Sequence, residues 1–207
     1  MDIRRDEVNK AIMLAKRHYF KGRLIKAQIL IKEYAERCVP SALYWISLIP
    51  NLNESQEEYE SRHIHQLVKS ADSGYLPAIY RLAVYKESGN YVSQDGKGAS
   101  ELFALAAKGG HPQAQWSHGM NILNQKFGNI GRQEEGLEYL KRAGEQGIIY
   151  AQEMLVEIYQ QGSFGIKRDS TQKLYWQNKL ESGENVTLEM ADEIWIDRDE
   201  QIRGAIY

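Results

Sequence analysis

The 207-residue chain is poor in cysteine and in long apolar runs, and each shortage excludes a class of protein. The single cysteine, Cys38, cannot form an intrachain disulfide, which excludes a disulfide-stapled scaffold and fits a reducing compartment. No stretch approaches the roughly 18 apolar residues that indicate a membrane span. The first ten residues carry a charged, amphipathic pattern, so we expect no secretory signal. These absences predict a cytoplasmic protein that does not bind membranes.

An excess of charge of either sign is also missing, although the charge is unevenly placed. The net charge is −2, which gives no reason to expect nucleic acid as a partner. Residues 1–50 carry ten Lys and Arg against five Asp and Glu, whereas residues 181–207 carry two against eight. Head-to-tail association of these opposite ends is one alternative. A monomer with two solvated ends is our expectation, because exposed ion pairs contribute only about 0–1 kcal/mol each.

A repeat of 36 or 37 residues organises what is present. Gly74, Gly110 and Gly147 follow one another at this spacing, and the same step reaches back to Cys38 and forward to Gly183. Self-similarity at such a period is the signature of repeat architectures. Four of the five boundaries are followed, after four residues, by a small residue suited to close helix approach: Ala42, Ala78, Ala114 and Ala151. A bulky residue suited to a shared core stands seven residues before each boundary: Ile31, Leu67, Phe103, Leu140 and Trp176.

The apolar periodicity between these boundaries is helical throughout. It predicts helices over about 6–20, 23–37, 41–49, 56–72, 76–88, 97–108, 112–125, 132–145, 148–161 and 170–181. We therefore predict an all-α, right-handed α-solenoid of antiparallel helix pairs with about eleven or twelve helices. We expect one repeat domain, 1–207, with an N-terminal tetratricopeptide-like hairpin at 1–37. Four units would fill 38–183, and a capping helix and tail would form 184–207.

With those residues in hand, the chain resembles the Sel-one-like repeat family (SLR) of tetratricopeptide-like α-solenoids. Two units keep parts of the family's pattern of small residues, leucine, tyrosine and glycine: Ala106, Ala107, Gly110, Ala114 and Gly119 in one, and Gly147, Ala151, Leu155, Tyr159 and Gly162 in the other. Asp95 and Asp169 end loops where the family caps its second helix. His118 departs from the pattern, because Leu82 and Leu155 hold its position elsewhere. The resemblance implies a protein that binds other proteins and implies no reaction.

No residue pattern indicates catalysis, a metal or a cofactor. His63 and His65 point to different helix faces, and no Cys, Asp or second His completes a zinc-type set. Gly96, Lys97 and Gly98 lack the upstream glycine and the strand of a phosphate-binding loop. Cys38 has no partner motif for a nucleophile, and we expect a small buried residue. His118 at an apolar position predicts a pH-sensitive unit.

We therefore predict a non-catalytic protein–protein interaction module that binds its partner in a concave groove. One version is an immunity or antitoxin-like inhibitor of an effector, with a toxin carrying a basic segment as the partner. An adaptor or regulator in a bacterial signalling or secretion pathway is the alternative, and an enzyme built on the scaffold is a third. The sixth and tenth residues after each boundary share one helix face and form the predicted protein-binding stripe: Tyr44, Leu48, Tyr80, Val84, Trp116, Met120, Glu153, Glu157, Glu189 and Glu193. Its first half would anchor apolar side chains, and its acidic half would steer a basic segment.

Overall fold

A computed structural model describes residues 4–128 and 131–182 of the chain, within which ten α-helices form. The helices are α1 (Arg5–Phe20), α2 (Leu24–Glu36), α3 (Pro40–Ser47), α4 (Gln56–Asp72), α5 (Leu76–Ser88), α6 (Gly96–Lys108), α7 (Pro112–Leu123), α8 (Gln133–Glu145), α9 (Ile149–Gln161) and α10 (Ser170–Glu181). Each predicted helix is present with ends shifted by at most two residues. Gly183 and the predicted segment 184–207 lie outside the described residues.

The chain divides into two compact parts, Met1–Gln94 and Asp95–Tyr207, which are called the first unit and the second unit from here on. In the first, each of α1 to α4 packs against the next helix, and α1 also contacts α3. In the second, each of α6 to α9 packs against the next. Short connections such as the three residues between α1 and α2 make neighbouring helices antiparallel. One repeat domain over 1–207 stays a prediction.

The repeat boundaries have the backbone that the sequence spacing predicts. Gly74, Gly110 and Gly147 have φ values of 82°, 99° and 90°, in the left-handed region that ends a helix. Cys38 takes the same conformation with φ 58°. Its side chain is exposed, so the prediction of a buried Cys38 is wrong. A left-handed terminus turns the side chain at this position away from the helix pair and towards solvent.

The recurring core positions are confirmed. The alanines four residues after the first four boundaries are fully buried, and the five bulky residues seven before the boundaries are at most 2% exposed. Their burial gives each unit an apolar interior. Burial of apolar surface stabilises the fold by about 25 cal/mol per Å² removed from water.

The predicted helix caps are also confirmed. Asp95 Oδ1 accepts from the Gly98 amide at 2.8 Å, and Asp169 Oδ1 accepts from Thr171 and Gln172. Before α4, Ser55 forms a reciprocal capping box with Glu58. These caps set the residue at which the second helix of each pair begins. They therefore also set where the preceding loops end, beside the clefts described next.

Candidate functional site

A cleft of about 570 Å³ opens in the first unit between α2 and α4, with α3 behind it. Leu43 and Ile46 of α3 are buried and line its floor. We call it the first cleft, and its walls are formed by Gln28, Ile29, Lys32, Ala35, Glu36, Cys38, Asn51, Leu52, Arg62, His65, Gln66 and Lys69.

Large apolar side chains stand open to solvent at the first cleft. Ile29 is 71% exposed and Leu52 is 76% exposed, and both line it. Ile25, one turn before Ile29 on α2, is also exposed. Lys32 and Lys69 add positive charge at the walls, where Lys32 pairs with Glu36 of the same helix at 3.9 Å. This combination suits an apolar ligand that carries negative charge.

Arg62 fixes the shape of the first cleft at the end of α3. Its guanidinium donates to the Glu54 carboxylate at 2.6 and 2.8 Å and to the backbone oxygens of Ile46 and Ile49 at 3.1 and 2.8 Å. The hydrogen bonds from Arg62, helped by those from Asn51, lower the pKa of Glu54 to about 2. Because the side chains of Arg62 and Glu54 are only 19% and 7% exposed, the pair is shielded from water and salt.

The second unit carries a cleft of about 330 Å³ at the same position of the repeat. It opens between α6 and α8, and α7 contributes His118 at the position that Ile46 occupies in the first unit, eight residues after the boundary. We call it the second cleft. Its lining is polar: Lys97, Ser100, Glu101, Ala104, Lys108, His118, Arg132, Glu135 and Tyr139.

His118 is the buried polar group of the second cleft. The residue is 6% exposed, and its Nδ1 has no hydrogen-bond partner within the described ranges. Tyr139 packs against the imidazole edge to face at 4.8 Å, and the Arg142 guanidinium lies 5.7 Å from the Tyr139 ring centre. Burial first, and then the positive charge of Arg132, lowers the pKa of His118, so its ring is neutral at pH 7.

The predicted stripe has members in both units. In the first unit Leu48, Tyr80 and Val84 are half-buried, whereas Tyr44 is only 1% exposed. Tyr44 packs against Trp45 and Tyr75, and its hydroxyl accepts from Arg81 Nε at 3.0 Å. The expectation that Tyr44 is accessible is therefore wrong, because neighbouring rings cover it.

In the second unit Trp116 and Met120 are half-buried and Glu153 and Glu157 are exposed. Trp116 lies 6.4 Å from Tyr150 between ring centres and also packs on the core. The last two members of the stripe, Glu189 and Glu193, lie outside the described residues. A binding role for the stripe stays a prediction.

Another buried histidine, His63, is held by contacts within the protein. His63 is buried, and its Nδ1 and Nε2 lie 2.9 Å from the Ser47 backbone oxygen and the Tyr85 hydroxyl. Because the Ser47 carbonyl can only accept, Nδ1 carries the proton and Nε2 accepts from Tyr85. Burial lowers the pKa of His63. Over 4–128 and 131–182, no three His, Cys, Asp or Glu residues are grouped as a metal site would require.

The clefts escaped sequence reasoning because their walls come from three helices. Ile29 and Leu52 are exposed because neighbouring helices do not cover α2 and the α3–α4 loop at these positions. A helical pattern in the sequence does not show where such cover ends. The pairing of Arg62 with Glu54 spans eight residues and a helix start, outside the spacing of ordinary helix pairs. The one usable signal was the replacement of an apolar residue by His118 at a fixed repeat position.

Two solved structures share the fold. One is a protective antigen present in uropathogenic Escherichia coli strains, displaying an SLR fold: it is 25% identical with a TM-score of 0.63, over 74% of this chain and 32% of that one. The other is the Sel1 repeat protein from Oxalobacter formigenes, 24% identical with a TM-score of 0.63, over 82% and 50% of the two chains. The chain has a Sel1-like repeat fold. The predicted resemblance and the all-α solenoid class are thereby confirmed.

No family model matches the chain. Chitin synthase regulatory factor 2 of Schizosaccharomyces pombe is 31% identical over 106 residues, which are 51% of this chain and 20% of that protein. The SLR-fold chain therefore spans half or less of the length of each of these relatives. No helix within the described ranges is long and apolar enough to cross a membrane.

Proposed function

We propose that this SLR-fold protein is a non-catalytic module that holds a segment of a partner protein. The observation that carries the proposal is the first cleft, where Ile29 and Leu52 stand open to solvent beside a floor of buried Leu43 and Ile46. Apolar side chains grouped at a concavity and edged by polar ones are typical of protein-binding sites. The SLR fold of the two solved neighbours supports the same class of function.

The charge of the first cleft specifies its ligand. Arg62 is neutralised by Glu54 and Lys32 is paired with Glu36, so the exposed Lys69 is the excess positive charge at its walls. An extended or helical segment with two apolar anchors flanked by Asp or Glu would bury Ile29 and Leu52 while a carboxylate meets Lys69. Charge attraction raises the association rate of such a partner, and apolar contact lengthens its residence time.

Charge-introducing variants at the exposed leucine and isoleucine test this function. Ile29→Glu with Leu52→Glu should leave folding intact, because both side chains are exposed, and should release the partner. Leu105→Glu with Leu174→Glu, at two other exposed positions, in the second unit, is the matched control. Proteins retained from the native host by wild type and control, but not by the cleft variant, are its ligands. Retention of the same proteins by all three would contradict the proposal.

The predicted stripe provides a second surface for the same function. Trp116→Ala should weaken binding of an identified partner by about 2 kcal/mol if Trp116 is a central contact. Glu153→Lys with Glu157→Lys should mainly slow association with a basic segment, and more so at low salt. Unchanged affinity and association rate in both variants would restrict binding to the first cleft.

An immunity-type inhibitor and an adaptor differ in stoichiometry and in number of partners. The inhibitor should co-purify one to one with a single toxin encoded beside it, and the adaptor should retain several proteins. The clefts of the two units differ in chemistry, which favours the adaptor because each can take a different ligand. A cytoplasmic location and a monomeric state are part of the proposal, and sedimentation of the purified protein tests the second.

A further inference from the structure

The second cleft contains a polar group that the fold does not require. The position of His118 is held by Ile46, Leu82 and Leu155 in other repeats, and all three are buried apolar side chains. A buried nitrogen without a hydrogen-bond partner costs stability. Nδ1 stays enclosed whether or not a ligand is present, and leucine would serve the packing at lower cost, so a benefit that offsets this cost must come through the other nitrogen, Nε2.

The geometry of the imidazole leaves one nitrogen for a ligand. Nδ1 is enclosed and has neither a donor nor an acceptor among the residues described. Because an enclosed N–H without an acceptor costs more than an enclosed lone pair, we assign the proton of the neutral ring to Nε2. The edge-to-face contact with Tyr139 at 4.8 Å holds the ring against the wall of α8. His118 thus presents a fixed, uncharged N–H donor to a space of about 330 Å³.

The charges that surround this donor come from both neighbouring helices. From α6 come Lys97, Lys108 and Glu101, from α8 comes Glu135, and Arg132 lies just before α8. Arg132 and Glu135 pair with each other at 2.6 Å, which leaves two lysines against one glutamate. A cleft with one uncharged donor at its floor and a small excess of positive charge at its mouth selects an anion of low charge.

We propose that the second cleft is a carboxylate-binding subsite, in which His118 Nε2–H donates to a carboxylate oxygen and Lys97 and Lys108 supply the counter-charge. The carboxylate belongs to a peptide, either as an Asp or Glu side chain or as the chain terminus. The subsite goes beyond the docking surface of the first cleft and does not depend on it.

The experiment follows the imidazole nitrogens of His118 by NMR in the whole protein while carboxylate compounds are added. Acetate should shift both nitrogen signals saturably with a midpoint in the millimolar range, and chloride at equal ionic strength should not. Acetyl-Gly-Glu-Gly-amide and acetyl-Gly-Gly with a free carboxyl end separate side-chain from terminal recognition. Acetyl-Gly-Gln-Gly-amide lacks the carboxylate and should leave the signals unchanged.

Two variants locate the effect. In His118→Leu, the residue of neighbouring repeats, the lysine side-chain signals of Lys97 and Lys108 should no longer respond to acetate. Lys141→Gln, a half-buried lysine outside the cleft lining, is the control and should leave the response unchanged. Because the ring is neutral above its lowered pKa, binding should persist from pH 6.5 to 8.

Three results would overturn the subsite: equal shifts with chloride, a linear response without saturation, or an undiminished response in His118→Leu. Loss of binding above pH 6.5 would mean that imidazolium, and not the neutral donor, carries the interaction. None of these measurements uses a partner protein, so failure here leaves the first cleft untouched.

Discussion

The pair α3–α4 of the first unit and the pair α7–α8 of the second occupy the same place in the repeat, yet they solve one packing problem differently. Helix α3 ends at Ser47, whereas α7 continues past the equivalent residue, Gly119, to Leu123. The early end leaves backbone carbonyls without helical partners. His63 accounts for the oxygen of Ser47 and Arg62 for those of Ile46 and Ile49.

Where α7 continues, the equivalents of His63 and Arg62 are Gly136 and Glu135. A Cβ placed at Gly119 would lie 2.9 Å from the Gly136 oxygen and 2.4 Å from a Leu140 methyl, so the two backbones meet directly. Glu135 cannot donate to a carbonyl as Arg62 does, and it accepts instead from Arg132, the residue before α8. The position of His63 in the repeat therefore holds a side chain that caps the preceding helix where that helix ends early. It holds glycine where the preceding helix continues.

The largest expected effect removes the capping arginine. Arg62→Ala leaves the Ile49 carbonyl without its donor and the Glu54 carboxylate with only the Asn51 donors, and it should cost about 3 kcal/mol of unfolding free energy. Arg132→Ala breaks an exposed pair and should cost less than about 1 kcal/mol. Urea denaturation followed by circular dichroism measures both. Equal losses would remove the distinction between the two pairs.

The backbone contact in the second unit gives the next effect. Gly119→Ala should cost about 2 kcal/mol, since overpacking outweighs the better helix propensity of alanine. Ser47 already carries a Cβ at the equivalent position, so Ser47→Gly should lose only about 1 kcal/mol through propensity. A stable Gly119→Ala protein would mean that α7 and α8 can separate at no cost.

Two of the buried histidines, His63 and His118, should respond in opposite directions to the same substitution. His63→Leu removes the donor to the Ser47 carbonyl and the acceptor of the Tyr85 hydroxyl, and it should cost about 2 kcal/mol. His118→Leu removes an unpaired nitrogen and should gain about 1 kcal/mol. Melting temperatures of the two variants decide the matter, and a loss in both would contradict the contrast.

Acidification acts on the same groups. The pKa values of His63 and His118 lie below 6.5 in the folded chain, so the unfolded chain takes up protons first and stability falls as pH drops below 6.5. The Glu54 pKa of about 2 adds stability above pH 4.5 that is lost as pH falls towards 2. His118→Leu should flatten only the upper step, and Arg62→Ala only the lower one. Unfolding measured at a series of pH values separates the steps.

Much of the fold was predictable because each repeat states its own boundaries. Glycine spacing located the turns, buried alanines located the close contacts, and Asp95 and Asp169 located helix starts. The candidate sites were less accessible to such reasoning. The stripe was chosen by counting along one face, and counting cannot show that Tyr44 is covered by Trp45 and Tyr75. The first cleft depends on α3 ending at Ser47, and no residue before Ser47 indicates this end in the sequence.

The left-handed turn at Cys38 makes the first cleft directly observable. Cys38 carries the one sulfhydryl in the chain, is exposed, and lines the first cleft. A fluorophore attached through maleimide would therefore label a single known position without any engineered residue. Its emission would report a segment entering beside Ile29 in real time, and slower alkylation in the presence of a ligand would report the same event without a dye.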